Sequence, residues 1–127
     1  MTPPARPTQP VLVVEDDPDC REMLVALLEA YGYLVVTAEN GALALGVARG
    51  EHPCLILLDL MMPIMDGEEF RNRQLSDPKI RDIPVVILSA RFDARAVAAR
   101  LGATRFLGKP LDFDQVAATV DEICASR

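Results

Sequence analysis

The sequence predicts an α/β fold in which helices cover both faces of a parallel sheet. Short apolar runs alternate along the chain with amphipathic segments, which is typical of repeated strand–helix units. The runs are continuously apolar rather than alternating with polar residues, as expected for strands buried on both faces. Five such units follow residue 10 of the 127-residue chain. We therefore expect a single domain built on five parallel strands.

Five apolar runs supply the predicted strands, in the order Val11–Val14, Leu34–Val36, Cys54–Leu58, Val85–Leu88 and Arg105–Leu107. The amphipathic segments that follow them supply the helices, at residues 18–31, 41–49, 67–75, 93–101 and 112–125. Turn and capping residues support these bounds. Asp17 is a good N-cap, and Pro18 suits the first helical position. Gly32, Gly50 and Gly102 stand where helix C-caps are expected.

The first ten residues form a different kind of segment. Residues 1–10 contain four prolines, at positions 3, 4, 7 and 10. That density disfavours both helix and strand, so we predict a disordered lead-in followed by a domain at 11–127. The starting Met and this lead-in favour a complete single-domain protein over a piece of a longer one.

Composition excludes several classes of function. A net charge of -6, a pI near 4.7 and the absence of a basic stripe argue against direct binding of nucleic acid. No apolar stretch approaches the roughly 20 residues that a membrane span requires, and there is no signal-peptide or lipidation pattern. Cys20, Cys54 and Cys124 are odd in number and lack a CxxC spacing. We therefore expect separate thiols in a reducing compartment, and hence a cytoplasmic protein.

Acidic residues follow two of the apolar runs. Glu15, Asp16 and Asp17 come directly after the first run, and Asp59 closes the third. The carboxyl ends of parallel strands meet at one edge of the sheet, where open α/β folds keep their binding sites. Carboxylates brought together there repel one another unless a divalent cation or a shared proton compensates.

Two further strand ends carry polar groups toward the same edge. The fourth run ends in Ser89 and Ala90, and the fifth leads through Gly108 to Lys109 and Pro110. Lys109 is one of two lysines in a chain with eleven arginines, which indicates a need for a compact ammonium group at this position.

These motifs together resemble the receiver domain of two-component response regulators, over residues 10–126. The residues from Val13 to Pro18 are similar to the family's acidic signature, and Asp59 to Gly67 to its phosphoacceptor loop. Ser89 takes the family's Thr/Ser position and Phe106 its aromatic switch position, and Lys109 begins its Lys-Pro pair. The resemblance implies a flavodoxin-like, doubly wound (βα)5 fold with strand order 2-1-3-4-5.

The resemblance also implies a role for each site residue. Asp59 is the expected nucleophile and phosphoacceptor, taking a phosphoryl group from a histidine kinase or a histidine phosphotransfer protein. Mg²⁺ is the expected cofactor, held by Asp16, Asp59 and the backbone carbonyl of Met61, with Glu15 acting through a metal-bound water. We expect Asp17 to cap the first helix instead.

Lys109 and Ser89 complete the expected machinery. Lys109 pairs with Asp59 or a phosphoryl oxygen, its bond to Pro110 is expected to be cis, and Ser89 donates its hydroxyl to the phosphoryl group. Phe106 then rotates and changes the surface that a downstream effector protein binds. The alternative for Phe106 is a static, half-buried aromatic. The resemblance implies no enzyme beyond Mg²⁺-dependent self-phosphorylation and autodephosphorylation.

Two loop positions are expected to set the lifetime of the phosphorylated state. Met61 and Arg91 lie two residues after Asp59 and Ser89, beside the path of an attacking water. The alternative for Arg91 is a side chain that only reaches into solvent. Met62 and Met65 are expected to pack within the loop.

Other classes fit the residues less well. A flavodoxin needs a phosphate-cradling loop where Glu15, Asp16 and Asp17 stand. A haloacid-dehalogenase-type phosphatase needs an acid where Met61 stands, and a GTPase needs the GxxxxGK[ST] motif, which is absent. Within the family, the alternative is a receiver module excised from a hybrid histidine kinase or a longer regulator.

Overall fold

The fold is a five-stranded parallel sheet with helices on both faces, seen in a computed structural model that describes residues 9–125. Strands and helices alternate strictly along the chain. The elements are β1 Val11–Val14, α1 Pro18–Ala30, β2 Val35–Ala38, α2 Gly41–Glu51, β3 Leu55–Asp59, α3 Gly67–Leu75, β4 Val85–Ser89, α4 Ala94–Arg100, β5 Arg105–Gly108 and α5 Phe113–Cys124. The sheet order is β2-β1-β3-β4-β5, and each neighbouring pair is parallel. The predicted fold class and strand order are confirmed.

Two apolar layers hold the sheet between the helices. Along each strand alternate side chains point to opposite faces, so Leu12 and Ile56 enter one layer while Val11 and Leu55 enter the other. The first layer packs against α2, α3 and α4, where Phe70 is fully buried, and the second against α1 and α5. Because β1 and β3 are buried on both faces, the residues at their carboxyl ends are held on a rigid base.

The element bounds differ from prediction mainly at two places. β2 begins one residue later than expected and continues through Thr37 to Ala38. It is an edge strand and only partly buried, so its apolar pattern is weaker than that of the central strands. Gly50 was wrongly predicted as a C-cap: α2 continues to Glu51, and His52 takes the left-handed conformation instead, with φ 47°.

The predicted lead-in falls mostly outside the described residues. Its last residue, Pro10, is buried, and its carbonyl accepts a hydrogen bond from the backbone N–H of Cys54 at 2.9 Å. Ordered structure therefore begins before residue 11.

The prediction of three separate thiols was wrong. Cys54 and Cys124 form a disulfide that joins the start of β3 to the end of α5, and only Cys20 remains a thiol. The two half-cystines are 70 residues apart in sequence, with a Cα–Cα distance of 5.5 Å. Their pairing depends on the packing of α5 against the sheet, which no local spacing reveals. Within residues 9–125, no helix has the length and apolarity to cross a membrane.

Candidate functional site

The candidate site lies at the carboxyl edge of the sheet, where four adjacent strands end in polar residues. Glu15 follows β1, Asp59 ends β3, Ser89 ends β4 and Lys109 follows β5. The prediction that these side chains share one edge is confirmed.

Three carboxylates form the acidic part of the site. Glu15, Asp16 and Asp59 each contribute an oxygen, and these oxygens lie within 4.8 Å of one another. Glu15 and Asp59 are only 1% and 6% exposed, whereas Asp16 faces solvent. Like charges at this spacing disfavour the ionised state. The cluster is therefore suited to a cation or an additional proton.

Lys109 supplies one positive charge to this cluster. Its Nζ donates to Asp59 Oδ2 at 3.2 Å and to Glu15 Oε2 at 2.9 Å. The pairing with Asp59 and the cis bond to Pro110 were predicted and are confirmed. The shorter bond to Glu15 was not predicted. Burial acts to lower the pKa of Lys109, but the hydrogen bond to Glu15 and the two carboxylate charges outweigh it and raise that pKa.

Glu15 carries the main electrostatic cost of the site. Burial, reinforced by the charge of Asp59, raises the pKa of Glu15 to about 7, although Lys109 acts in the opposite direction. A carboxyl group that titrates near neutrality can be neutral with a bound proton, or ionised when a cation lies beside it.

Hydrogen bonds to the backbone of the β1–α1 loop hold its acidic residues in place. Asp17 caps α1 as predicted, accepting from the backbone N–H of Cys20, and its own N–H donates to Glu15 Oε1 at 3.3 Å. Arg21, one turn into α1, donates Nη1 to the carbonyl of Glu15 at 2.8 Å. Arg21 was not predicted as a site residue, and its only signal in the sequence is its place one turn after the cap.

The β3–α3 loop folds tightly over the end of β3. The backbone N–H of Met61 donates to Asp59 Oδ1 at 3.3 Å, and that of Gly67 to the carbonyl of Leu60 at 3.0 Å. A Cβ at position 67 would lie 2.4 Å from the carbonyl oxygen of Asp59, so only glycine lets the loop close. Met61 is exposed at the mouth of the site. Its carbonyl as a metal ligand stays a prediction.

Other side chains of that loop pack as expected. Met62 and Met65 are partly buried against the apolar layer that contains Phe70. The prediction that they serve loop packing is confirmed.

The β4–α4 loop brings a hydroxyl to the site. Ser89 is buried, and its Oγ accepts from the backbone N–H of Arg91 at 3.1 Å. A hydroxyl that accepts one bond can still donate its own proton. The Arg91 guanidinium binds both oxygens of Asp93, at 2.9 and 2.8 Å, and lies 3.9 Å from Glu68. Arg91 is therefore held on neighbouring acids, and a contact with a phosphoryl group stays a prediction.

Phe106 lies on β5 beside the site. It is half-buried, its ring lies against Gly108, and the guanidinium carbon of Arg95 is 5.3 Å from the ring centroid. That distance is within the range of a cation–π contact. Rotation of Phe106 stays a prediction.

Comparison with known proteins identifies the family. A family model described as the response regulator receiver domain matches residues 11–121. The chain belongs to that family. It is 32% identical to protein PilH of Pseudomonas aeruginosa over 117 residues, which cover 91% of this chain and 97% of that one. The crystal structure of a putative response regulator from Chloroflexus aurantiacus matches with a TM-score of 0.86 and 28% identity, covering 92% and 98% of the two chains.

A third relative bears on the metal. The receiver domain of a sensor histidine kinase from Pseudomonas aeruginosa is 25% identical, with a TM-score of 0.83 and coverage of 92% of this chain and 98% of that one. Its crystal structure contains a magnesium ion coordinated in the active-site cleft. In the receiver domain described here, the three clustered carboxylates offer the hard oxygen donors that Mg²⁺ prefers. The residues present fit that ion.

Proposed function

We propose that this receiver domain accepts a phosphoryl group on Asp59 from a phosphohistidine donor and thereby changes which partner protein it binds. The observation that carries the proposal is the place of Asp59. Its carboxylate closes a fully buried strand, lies within 4.8 Å of two other carboxylates and accepts a hydrogen bond from Lys109. A nucleophilic carboxylate held beside a fixed cation is suited to attack an anionic phosphoryl group.

The transfer has a simple balance of bonds. A carboxylate oxygen of Asp59 attacks phosphorus, so an O–P bond forms while the P–N bond of the phosphohistidine breaks. The electron pair of that bond leaves with the donor imidazole, which takes up a proton. Lys109 offsets the charge that accumulates on Asp59 and the phosphoryl oxygens. The hydroxyl of Ser89, at the end of β4, would donate to one of those oxygens.

Mg²⁺ is part of the proposal. Asp16 and Asp59 would supply carboxylate oxygens and Met61 its carbonyl, while Glu15 would act through a bound water. A bound Mg²⁺ supplies the positive charge that screens the phosphoryl group from the carboxylates around it. Asp16→Ala should therefore abolish most of the Mg²⁺-dependent rise in melting temperature, whereas Glu15→Gln should preserve more of it.

The signal would leave through the β4–α4 loop and β5. A phosphoryl group bound by Ser89 draws that loop toward the site, and Phe106 then turns inward and changes the surface around it. The donor would be a histidine kinase or a histidine phosphotransfer protein, and the receiver of the signal an effector protein. Met61, Ile64 and Phe92 are exposed apolar side chains on the two loops at the mouth of the site, as suits contact with protein. The Cys54–Cys124 disulfide removes the argument from separate thiols, so our placement of this exchange in the cytoplasm rests on the family alone. The proposal includes no catalysis beyond the domain's own phosphorylation and dephosphorylation.

Intact-mass measurement tests the acceptor. The protein is incubated with Mg²⁺ and acetyl phosphate, and one phosphoryl adduct is expected in the parent. Asp59→Asn should lose that adduct. Asp66→Asn is the matched control, because Asp66 lies in the same loop but caps α3, and it should be phosphorylated as well as the parent. An adduct of similar yield in Asp59→Asn would refute the assignment.

A further inference from the structure

Arg21 lies beside the acidic loop and, like Arg71 elsewhere in the domain, donates to main-chain carbonyls. Its Nη1 donates to two main-chain carbonyls, that of Glu15 at 2.8 Å and that of Asp16 at 3.4 Å. Within residues 9–125, Arg21 forms no salt bridge with a carboxylate, although it lies beside the acidic loop. Its guanidinium therefore binds the backbone that carries the acids rather than the acids themselves.

Backbone N–H groups of the same loop have partners other than these two carbonyls. The N–H of Glu15 donates to the carbonyl of Ala38 in β2 at 3.0 Å. The N–H of Asp17 donates to Glu15 Oε1. The Glu15–Asp16 peptide plane is thus held at its carbonyl by Arg21, and the Asp16–Asp17 plane is held at its carbonyl by Arg21 and at its N–H by Glu15. Asp16, whose side chain faces solvent, has its direction set by these planes.

Geometry and charge predict opposite effects for this arginine. A positive guanidinium next to three carboxylates repels an incoming cation, so its charge alone would weaken Mg²⁺ binding. Bonds that orient metal-binding residues strengthen it, and their loss typically costs about 10–100-fold in metal affinity. Whether Mg²⁺ affinity falls or rises when Arg21 is removed therefore distinguishes the two roles.

We infer that Arg21 is a positioning residue that holds the Glu15–Asp17 backbone so that its carboxylates converge on the cation. This inference rests on the proposed function, because it concerns the proposed Mg²⁺ site. Fixing the loop in advance removes the cost of ordering it when the cation binds, and that gain exceeds the repulsion from the guanidinium.

Calorimetric titration of the full chain with Mg²⁺ tests the inference without any phosphorylation. Arg21→Met should bind Mg²⁺ about tenfold more weakly than the parent, or worse. Arg21→Lys keeps the charge on a side chain that is one bond shorter and so reaches the two carbonyls less well, and its affinity should fall between the two. The matched controls are Arg49→Met and Arg49→Lys, because Arg49 pairs with Asp77 away from the site; both should bind as the parent does.

Each outcome has a defined meaning. Equal or tighter Mg²⁺ binding in a folded Arg21→Met variant would overturn the positioning role. If Arg21→Met does not fold, the lysine pair decides, and Arg21→Lys binding as tightly as Arg49→Lys would overturn it as well. A parent that binds no Mg²⁺ would overturn the proposed metal site, and the inference with it. With acetyl phosphate, Arg21→Met should need more Mg²⁺ for half-maximal rate yet approach the parent's rate at saturation.

Discussion

Buried polar groups have different partners at the two ends of the parallel strands, the carboxyl edge and the amino edge of the sheet. At the carboxyl edge, Glu15 and Asp59 share a single ammonium, that of Lys109, with Asp16 beside them. At the amino edge, the buried guanidinium of Arg71 donates only to neutral oxygens.

The amino edge is also closed by covalent and neutral contacts. The Cys54–Cys124 disulfide joins the start of β3 to the end of α5, and the amide of Gln74 donates to the carbonyls of Ile80 and Ile83. Polar groups there have their partners within the protein, whereas the acids at the other edge have too few cations. This difference indicates that the amino edge mainly stabilises the fold, whereas the carboxyl edge has the capacity to bind a charged ligand.

The largest expected effect is loss of the disulfide at the amino edge. Cross-linking residues 70 apart restricts the unfolded chain, which stabilises the native state by about 4 kcal/mol in the chain-entropy description. Reduction should therefore lower the free energy of unfolding by that order. Urea denaturation of the metal-free protein, with and without a phosphine reductant, measures it.

Thiol counting supplies the control for that experiment. The denatured protein should show one reactive thiol before reduction, from Cys20, and three afterwards. Cys20→Ala should respond to the reductant as the parent does. Identical denaturation curves with and without reductant would show that the amino edge does not depend on the cross-link.

The next effect lies at the carboxyl edge and depends on pH. Burial raises the pKa of Glu15 to about 7, so between pH 4.5 and 7 the folded state binds more protons than the unfolded state. The contribution of Glu15 to stability is then greatest at low pH and falls as pH rises through that window. At 1.36 kcal/mol per unit, the loss is about 3 kcal/mol.

Denaturation of the parent and Glu15→Gln in EDTA measures this effect across the same pH range. The amide does not titrate, so the stability of Glu15→Gln relative to the parent should rise from pH 4.5 to 7. Added Mg²⁺ should reduce the difference, because a cation compensates the same charge. A difference that does not change with pH would contradict the electrostatic cost assigned to this edge.

The third effect returns to the amino edge. Arg71 Nε donates to the carbonyl of Leu101 at 3.0 Å and Nη2 to that of Gly102 at 3.1 Å, and Nη1 donates to Gln74 Oε1 at 2.8 Å. Arg71→Met leaves these acceptors without their donors. Two of these bonds are buried, and at about 1 kcal/mol for each buried acceptor left unsatisfied a loss of about 2 kcal/mol is expected.

Arg73→Met is the matched control for that change. Arg73 is an exposed arginine on the same helix, paired with Glu69 one turn away. Exposed pairs of this kind contribute about 0.5 kcal/mol or less. Equal losses in the two variants, measured by urea denaturation, would remove the distinction between a complete buried cluster and a surface contact.

Sequence patterns predicted the carboxyl edge better than the amino edge. Asp59 and Lys109 could be found because each directly follows an apolar run, and parallel strands bring such ends together. The Cys54–Cys124 bond joins residues far apart in the chain, so it depends on tertiary packing alone.

Two important arginines were also beyond the reach of sequence patterns. Arg21 and Arg71 act by donating to main-chain carbonyls. Every residue has such a carbonyl, so no pattern of residue types in the sequence marks these acceptors. The bounds of β2 were missed for a different reason, since its exposed Thr37 breaks the apolar run.

The smallest expected effect compares one strained residue at each edge. Ile64 has φ 71° in the loop after β3, where the N–H of Met65 donates to the carbonyl of Pro63 at 2.8 Å. His52 has φ 47° at the end of α2. Positive φ is tolerated several-fold more often by His than by most residues, but it is a true outlier for a β-branched side chain. The carboxyl edge therefore holds the greater strain.

Substitution by glycine at each position measures that difference. Glycine relieves strain of about 1–3 kcal/mol but adds roughly 0.4–1 kcal/mol of unfolded-chain entropy. Ile64→Gly should therefore gain about 1 kcal/mol of stability, and His52→Gly should gain less. Ile64→Ala is the control, because it removes the branched, exposed side chain yet keeps the Cβ that opposes positive φ. If Ile64→Gly is no more stable than Ile64→Ala in urea denaturation, the loop beside Asp59 is not strained, and the contrast between the edges is confined to their charges.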